Sequence, residues 1–290
     1  MKHLVIGGTG TVGSQVAREL LARGEQVRVL TRKAEKTKQL QEVETRVGDL
    51  LDPATLKSAF PGNDGVFLLN PVSTTETHEG LMAVNGAMAA GVKRIVYMSV
   101  HHADAAPHIP HFASKLPVEN AVKASGIPYT ILRPNNFFQN DYWSKDAMLQ
   151  YGVDPQPIGD VGLSRVDVRD IAEAAAICLT KSGNEGQTYN LVGPRPLTGA
   201  MNAEIWSRAL GKKIAYMGND LDAWEQQALK MLPPLMVYDF KLMYRFFQQK
   251  GLLATAADID RQTKLLGHTP RKFEDFAAET AKAWTAGVTA

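Results

Sequence analysis

Apolar and polar positions follow two different rhythms along this chain. From residue 2 to about residue 134, short continuous apolar runs alternate with longer stretches of helical spacing. The runs predict strands at Lys2–Ile6, Gln26–Thr31, Glu44–Val47, Gly65–Leu69, Arg94–Ser99 and Tyr129–Arg133. Helical patterns fall between them at 12–23, 34–41, 53–60, 77–90 and 113–125, with Asp52-Pro53 and Gly91 as start and stop signals. Strict alternation predicts an α/β fold. A Rossmann-like doubly wound parallel sheet carries helices on both faces because its crossovers are right-handed. After Pro134 the rhythm breaks. Residues 135–160 read as short helix and loop, 164–181 as a short strand and a helix, and 187–192 as another strand. From about 197 helices dominate, apart from a short strand near 213–217.

The first apolar run leads into Gly7-Gly8-Thr9-Gly10-Thr11-Val12-Gly13, and an amphipathic helix follows. Gly7 lets the chain turn off the strand, Gly10 lets the backbone approach a pyrophosphate, and Gly13 lets the helix pack close to the strand. The helix N-terminus offers free N–H groups and the positive end of its dipole to phosphate. Strand before and helix after are the context that makes the glycine spacing informative. The expected organisation is a dinucleotide-binding domain over 1–155, with a further strand and helix from about 160–195, and a smaller, mostly helical substrate lobe over 196–290.

The end of the second strand bears on which dinucleotide. NAD sites usually place a carboxylate there to accept from the ribose 2′-hydroxyl. This chain places Arg32 and Lys33, with no carboxylate until Glu35. A guanidinium binds a 2′-phosphate through two hydrogen bonds, so NADP(H) is expected over NAD(H); the alternative is that both cations are simply solvated. Composition is that of an ordinary globular protein, 44% hydrophobic and 21% charged with net charge +2, which gives no reason to expect nucleic acid or a membrane surface as partner. No uncharged apolar run reaches the ~18 residues of a membrane helix. The first strand is predicted from residue 2, so no leader peptide is expected. Cys178 is the only cysteine, so no internal disulfide forms and a reducing, cytoplasmic setting is expected.

Ligands of open α/β sheets sit beyond the carboxyl ends of the strands. Those ends carry Asp49 for the adenosine, Leu69 and Asn70 for the nicotinamide ribose, Ser99 to His102, and Asn135 to Phe138. The amides of Asn135 and Asn136 suit a carboxamide or a substrate carbonyl. Phe137, Phe138, Tyr142 and Trp143 would supply an apolar wall or, equally, anchor a helix in the core. His101, His102, His108 and His111 match no compact zinc template, and no metal is expected. They read either as ordinary loop residues or as a pocket lining in which one histidine, such as His101, meets substrate. Residues 231–249 are apolar on more than one face and read as a buried helix, with lid or dimer contact as the alternative.

The glycine motif, GVKRIVYMSV (91–100), SGIPYTILRPNNFFQN (125–140), VDVRDIAEAAA (166–176) and YNLVGP (189–194) resemble the NmrA-like branch of the atypical short-chain dehydrogenases/reductases. That branch includes triphenylmethane-dye and quinone reductases. The resemblance covers about residues 1–195 well and is general beyond 200. It implies a Rossmann fold that binds NADP(H) or NAD(H), and either reductase activity or redox sensing without turnover. It also implies a Ser, Tyr and Lys for proton transfer. Ser99 and Lys115 stand at the serine and lysine positions, but His111 occupies the tyrosine position. Imidazole, with a pKa of about 6.5, is a possible proton donor in its place. Lys115 also matches the lysine that acts as base in isoflavone- and phenylcoumaran-type reductases. Its other reading is a bridge to the ribose hydroxyls.

The expected function is NADPH-dependent hydride transfer to a quinone, carbonyl or other conjugated acceptor, with a small hydrophobic or aromatic substrate and a monomeric or homodimeric protein. Quinone-type acceptors need little acid catalysis, so loss of the tyrosine matters less for them. The alternatives are a non-catalytic NADP(H) sensor that binds a protein partner and, more weakly, a sugar-nucleotide isomerase or epimerase.

Overall fold

The apolar runs form strands that are covered on both sides. Leu4, Val5 and Ile6 are all buried, as are Val66, Phe67 and Leu68, the pattern of a parallel sheet sheltered by helices on two faces. The computed structural model describes residues 1–286. In chain order its first part runs β1 (Lys2–Ile6), α1 (Thr11–Ala22), β2 (Gln26–Thr31), β3 (Val43–Val47), α2 (Pro53–Ala59), β4 (Gly65–Leu68), α3 (Glu76–Ala89) and β5 (Arg94–Met98). Then come α4 (Pro110–Ala113), α5 (Lys115–Ala124), β6 (Tyr129–Pro134), β7 (Val153–Asp154), α6 (Val168–Thr180) and β8 (Gln187–Leu191). The remainder is α7 (Gly199–Leu210), β9 (Ala215–Tyr216), α8 (Leu221–Ala228), α9 (Pro234–Lys250), α10 (Ala256–Leu266) and α11 (Phe273–Thr285).

The chain divides into two units. The first comprises residues 1–134, 168–191 and 264–267. Its sheet has the order β3-β2-β1-β4-β5-β6-β8, and every neighbouring pair is parallel. Helices α1 and α6 pack together, as do α3 and α5. Leu4, Ile6, Leu68, Tyr97 and Ile131 meet Val84, Val118 and Val122 in one apolar cluster. Since β1 pairs with both β2 and β4, strand order reverses there, and the crevice beyond these carboxyl ends is the switch point where such sheets take ligands.

Two helical stretches differ from the expectation. Residues 34–41 form only a 3₁₀ turn at Ala34–Thr37, because the Thr37 hydroxyl bonds Ala34 O and reaches Thr45 on β3 at 2.8 Å, a side-chain bond that competes with helix propagation. The stretch 113–125 forms α5 over Lys115–Ala124, and a short helix not expected from the sequence, α4, precedes it across Ser114, where Pro117 offers no N–H to Ala113 O.

The second unit comprises residues 135–167, 192–263 and 268 onward. Residues 135–155, assigned from the sequence to the dinucleotide-binding domain, therefore fall here, and of the stretch 160–195 only 168–191 stays with the sheet. After Pro134 the chain pairs with its own unit, through Phe137 with Val166 and Leu163 with Leu197 and Leu252. Its core gathers Phe138, Met148, Trp206, Phe273 and Phe276. Arg165 lies buried within it. Its guanidinium donates to Asp141 Oδ1 at 2.6 Å, Asn202 Oδ1 at 2.8 Å and Phe137 O at 2.7 Å, and sits 5.1 Å from the centre of the Phe273 ring. Helix α9 begins at paired prolines and is less buried than expected: Val237 and Phe247 face inward while Leu235 and Tyr238 are exposed.

Asp154 completes this buried polar cluster, its Oδ2 accepting from Asn202 at 2.8 Å. Burial, with the Asp141 carboxylate next in effect, holds its pKa well above the ordinary carboxylate range. The folded chain thus retains a proton that the unfolded chain releases above about pH 4. Stability contributed by this group therefore declines as pH rises from there toward neutrality. Asp154→Asn should accordingly lose less unfolding free energy than the parent protein between about pH 5 and pH 8 in denaturant titrations. Equal slopes with pH would rule out the assignment.

Candidate functional site

The turn from β1 into α1 is built at the limit of backbone approach. Gly7 has φ +74°, and its carbonyl accepts from Gly10 N at 3.0 Å. A Cβ on Gly13 would lie 2.2 Å from that carbonyl oxygen, and one on Gly7 would lie 2.8 Å from Leu69 O. Gly10 is different. A Cβ there would meet only the Gly7 oxygen, at 3.4 Å. Gly7 and Gly13 are thus glycine for packing within the fold, whereas the space beside Gly10 is open. Gly10 is also the N-cap of α1 and makes no side-chain cap, so the N–H groups of the first turn have no partner from that residue's side chain.

The opening is a cavity of about 540 Å³ within the first unit. Gly7, Thr9 and Gly10 form its floor; Arg32, Lys33 and Lys36 stand at one end, with Asp49 beside them; Leu69, Asn70, Pro71 and Glu79 line it elsewhere. Thr31 Oγ1 shapes the cationic end by bonding the Lys33 backbone at 3.1 and 3.2 Å. Asp49 is anchored through its N–H, which donates to Thr55 Oγ1 at 3.0 Å, and through Oδ1, which accepts from Leu51 N at 3.0 Å. Both polar atoms of the Asn70 amide are buried without a hydrogen-bond partner among the described residues. A buried amide in that state has an unmet requirement that a ligand can satisfy. An opening against free helix N–H groups, three cations and an unsatisfied amide fit a phosphorylated nucleotide.

Of the residues expected at the cofactor, Gly7, Thr9, Gly10, Arg32, Lys33, Asp49, Leu69 and Asn70 therefore share one cavity. Thr11, Val12 and Gly13 open α1 behind it, and the last two are buried in packing. Lys36 and Glu79 join the lining although the sequence had not singled them out. Lys36 was legible as a third cation one short turn past Lys33; Glu79, in the first turn of α3, reads from sequence as an ordinary complement to the helix dipole.

Ser99, His101, His111 and Lys115 also belong to the first unit but are not among the residues lining this cavity. Ser99 is buried just beyond β5, its N–H donating to Leu132 O at 2.8 Å. The His101 and His102 rings stack with centroids 4.0 Å apart, and His102 takes the left-handed φ of +58°. His111 is half-buried beside Phe112. Lys115, the first residue of α5, is buried and ion-paired with Glu76, the first residue of α3. One turn further along α5, Glu119 receives both arms of Arg133 at 2.8 and 2.9 Å. Burial opposes charge on Glu119, but the bonds from Arg133 outweigh it and hold its pKa below the usual carboxylate value. Burial, reinforced by the Glu76 and Glu119 carboxylates, raises the Tyr97 hydroxyl well above the phenol range. Sequence reasoning missed Glu76 and Glu119 because both pair with residues distant in the chain.

In the second unit, one expectation changes. Phe138 is not a pocket wall: it is 1% exposed, packed against Phe273 and Phe276. Asn135, expected at the cofactor, donates through Nδ2 to Leu252 O at 2.8 Å and accepts from Asn136 N at 2.8 Å through Oδ1. Asn136 Oδ1 accepts from Arg165 Nε at 3.0 Å. Phe137 is half-buried, and Trp143 is 73% exposed.

Comparison with known proteins adds to this geometry. Residues 2–277 match the model of the NmrA-like family. An NAD(P)H azoreductase of Xenophilus azovorans is 33% identical over 288 residues, covering 98% of this chain and 99% of that protein. The NADPH-dependent quinone oxidoreductase of Escherichia coli, solved with NADPH, superposes with a TM-score of 0.85 at 27% identity, covering 97% of this chain and 99% of that one. The Citrobacter triphenylmethane reductase, solved with NADP(H), gives 0.84 at 27% identity, covering 97% and 100%.

The contrast between the glycines is measurable without any ligand. Gly13→Ala must displace the Gly7 carbonyl and should lower stability by about 1–3 kcal/mol, a fall of several degrees in Tm. Gly10→Ala should leave Tm within about a degree or two. Thermal melts of the two variants side by side decide it; equal losses would show that Gly10 is as confined as Gly13.

Proposed function

This chain belongs to the NmrA-like family, and we infer that it is an NADP(H)-dependent reductase delivering hydride to a quinone, carbonyl or other conjugated hydrophobic acceptor. The observation that carries the reading is the cavity at the sheet's switch point, open at Gly10 and ended by Arg32, Lys33 and Lys36. Relatives of the same length reduce azo compounds, quinones and triphenylmethane dyes by name. The sensor alternative is not favoured, since these relatives are named for turnover.

When bound, the reduced nicotinamide supplies the hydride; the residues of this chain hold, orient and exclude. The backbone at Gly10 and the first turn of α1 receive the pyrophosphate. Arg32, with Lys33 and Lys36 beside it, takes the 2′-phosphate, and Asp49 takes the adenosine. Asn70 meets its hydrogen-bonding requirement on the nicotinamide-side ribose. Lys115 orients that ribose, and His111 and Ser99 serve carbonyl acceptors as proton donor and hydrogen-bonding partner. Conjugated acceptors need less of that help, because an electron-poor ring takes hydride readily and solvent protonates the product. His101, Asn136, Phe137 and the exposed Trp143 indole are the substrate contacts we assign. Buried Cys178 and a reduced dinucleotide both suit the cytoplasm as location.

Arg32→Ala removes a charge-assisted phosphate contact of roughly 1.5–3 kcal/mol. NADPH affinity should fall by about one to two orders of magnitude while NADH affinity barely changes; calorimetry showing equal weakening of both would assign Arg32 to stacking or structure. Gly10→Val should keep the fold and lose NADPH, whereas unchanged affinity would remove the pyrophosphate from that turn. Turnover itself is checked by mixing protein and NADPH with quinones, azo dyes and aromatic aldehydes. Loss of reduced-nicotinamide absorbance is expected with at least one class, and NADPH that survives hours with all of them would exclude a reductase. His111→Phe should slow carbonyl reduction more than quinone reduction.

A further inference from the structure

The Lys115 ammonium stands at an electrostatically adverse place. It is buried, and it begins a helix, where the positive end of the dipole disfavours a cation. What offsets this is Glu76, whose own position is favourable, since a carboxylate in the first turn of α3 complements the dipole there. Both carboxylate oxygens are engaged. Oε1 accepts from Lys115 Nζ and Oε2 accepts from Ser114 Oγ at 2.9 Å. The neighbouring Thr77 hydroxyl donates to Ser114 O at 2.9 Å. The first turn of α3 thus grips the α4–α5 junction at three points.

The same turn is also continuous with the cavity. Asn70 and Pro71, just before it, and Glu79, three residues after Glu76, all line the nucleotide site. Thr75 ties the turn together, its Oγ1 donating to Glu79 Oε1 at 2.7 Å and its carbonyl accepting Glu79 N at 2.9 Å. A buried ion pair is no requirement of stability, since apolar replacements of similar volume are often as stable. Its value here is geometric.

We propose that Glu76 is the positioning residue for Lys115: it holds the ammonium in register with the Asn70–Glu79 wall of the dinucleotide cavity, so that cofactor site and lysine are set by one rigid turn. This rests on the reading of Lys115 as a ribose-orienting residue of an NADP(H) reductase. It also gives Lys115 the part of a fixed cation and not of a mobile base, which suits conjugated acceptors that need no base.

The test is a double-mutant cycle on steady-state reduction of a quinone by NADPH, with Glu76→Gln, Lys115→Met and the pair combined, each at several pH values. Lys115→Met should lower kcat and weaken NADPH. Glu76→Gln should lower kcat/KM about ten- to a hundredfold through misplacement of the lysine, and its activity should decline at alkaline pH where the parent's does not. In the Lys115→Met background Glu76→Gln should change activity by no more than about twofold. Glu76→Asp, which keeps the charge, should recover part of the loss. Equal losses from Glu76→Gln in both backgrounds, or none while Lys115→Met is impaired, would overturn the proposal and leave the role of Lys115 standing. Parent-like activity of Lys115→Met would overturn both. Should Glu76→Gln fail to fold, Ser114→Ala keeps both charges and loosens the same carboxylate. It should show a smaller loss that disappears in the Lys115→Met background, and a loss that persists there would overturn the proposal.

Discussion

Everything at the nucleotide cavity follows from one steric constraint, the approach of α1 to the end of β1 at a distance that excludes a Cβ on Gly13. That approach brings the first turn of α1 to the point where strand order reverses, so its free N–H groups face the switch-point crevice. Gly7 supplies the left-handed turn that makes the approach possible, and Gly10 leaves the opening. A phosphate cradle needs no charged side chain in this arrangement. The cations at Arg32, Lys33 and Lys36 come instead from the segment that leaves β2 and the 3₁₀ turn that follows it.

Buried charge organises what packing alone leaves undetermined. In the first unit, α5 turns two buried charged residues one turn apart, Lys115 and Glu119, toward different partners, Glu76 from α3 and Arg133 from β6. In the second unit, Arg165 bonds Asp141, Asn202, Asn136 and a backbone carbonyl at once, and Trp206 Nε1 adds to the cluster by donating to Asp141 Oδ2 at 2.7 Å. Removing one partner from such clusters strands an uncompensated charge. They therefore specify geometry more strictly than apolar contacts of the same area.

Strands β1, β4 and β5 were legible because a doubly covered strand has a plain pattern: three or four consecutive apolar residues bounded by turn signals. The cradle was legible because its glycines are close in sequence and each has a local reason. What was not legible depends on distant residues. The break at Ser114 has a local cause, Pro117, which offers no N–H to Ala113 O four residues earlier; what was not legible is that Glu76 and Thr77, on another helix, bond the residues at the break. Phe138 and Asn135 were ambiguous for a different reason. Aromatics and amides past a strand end serve cores and ligands equally well, and only their partners (Phe273, Phe276 and Leu252 O) distinguish the two. Arg165 shows the same limit, for nothing in its sequence neighbours signals a fully buried guanidinium.

The family's fold accommodates more than one use of a bound dinucleotide, so the central claim concerns transfer and not binding alone. A single-turnover experiment addresses it most directly. The protein, preloaded with NADPH carrying deuterium at the transferred C4 position, is mixed rapidly with a quinone and followed at the reduced-nicotinamide band, beside the unlabelled cofactor. The account predicts first-order loss of absorbance with formation of the hydroquinone, slower for the deuterated cofactor. Absorbance that persists while the quinone is unchanged, with NADPH demonstrably bound, would contradict it.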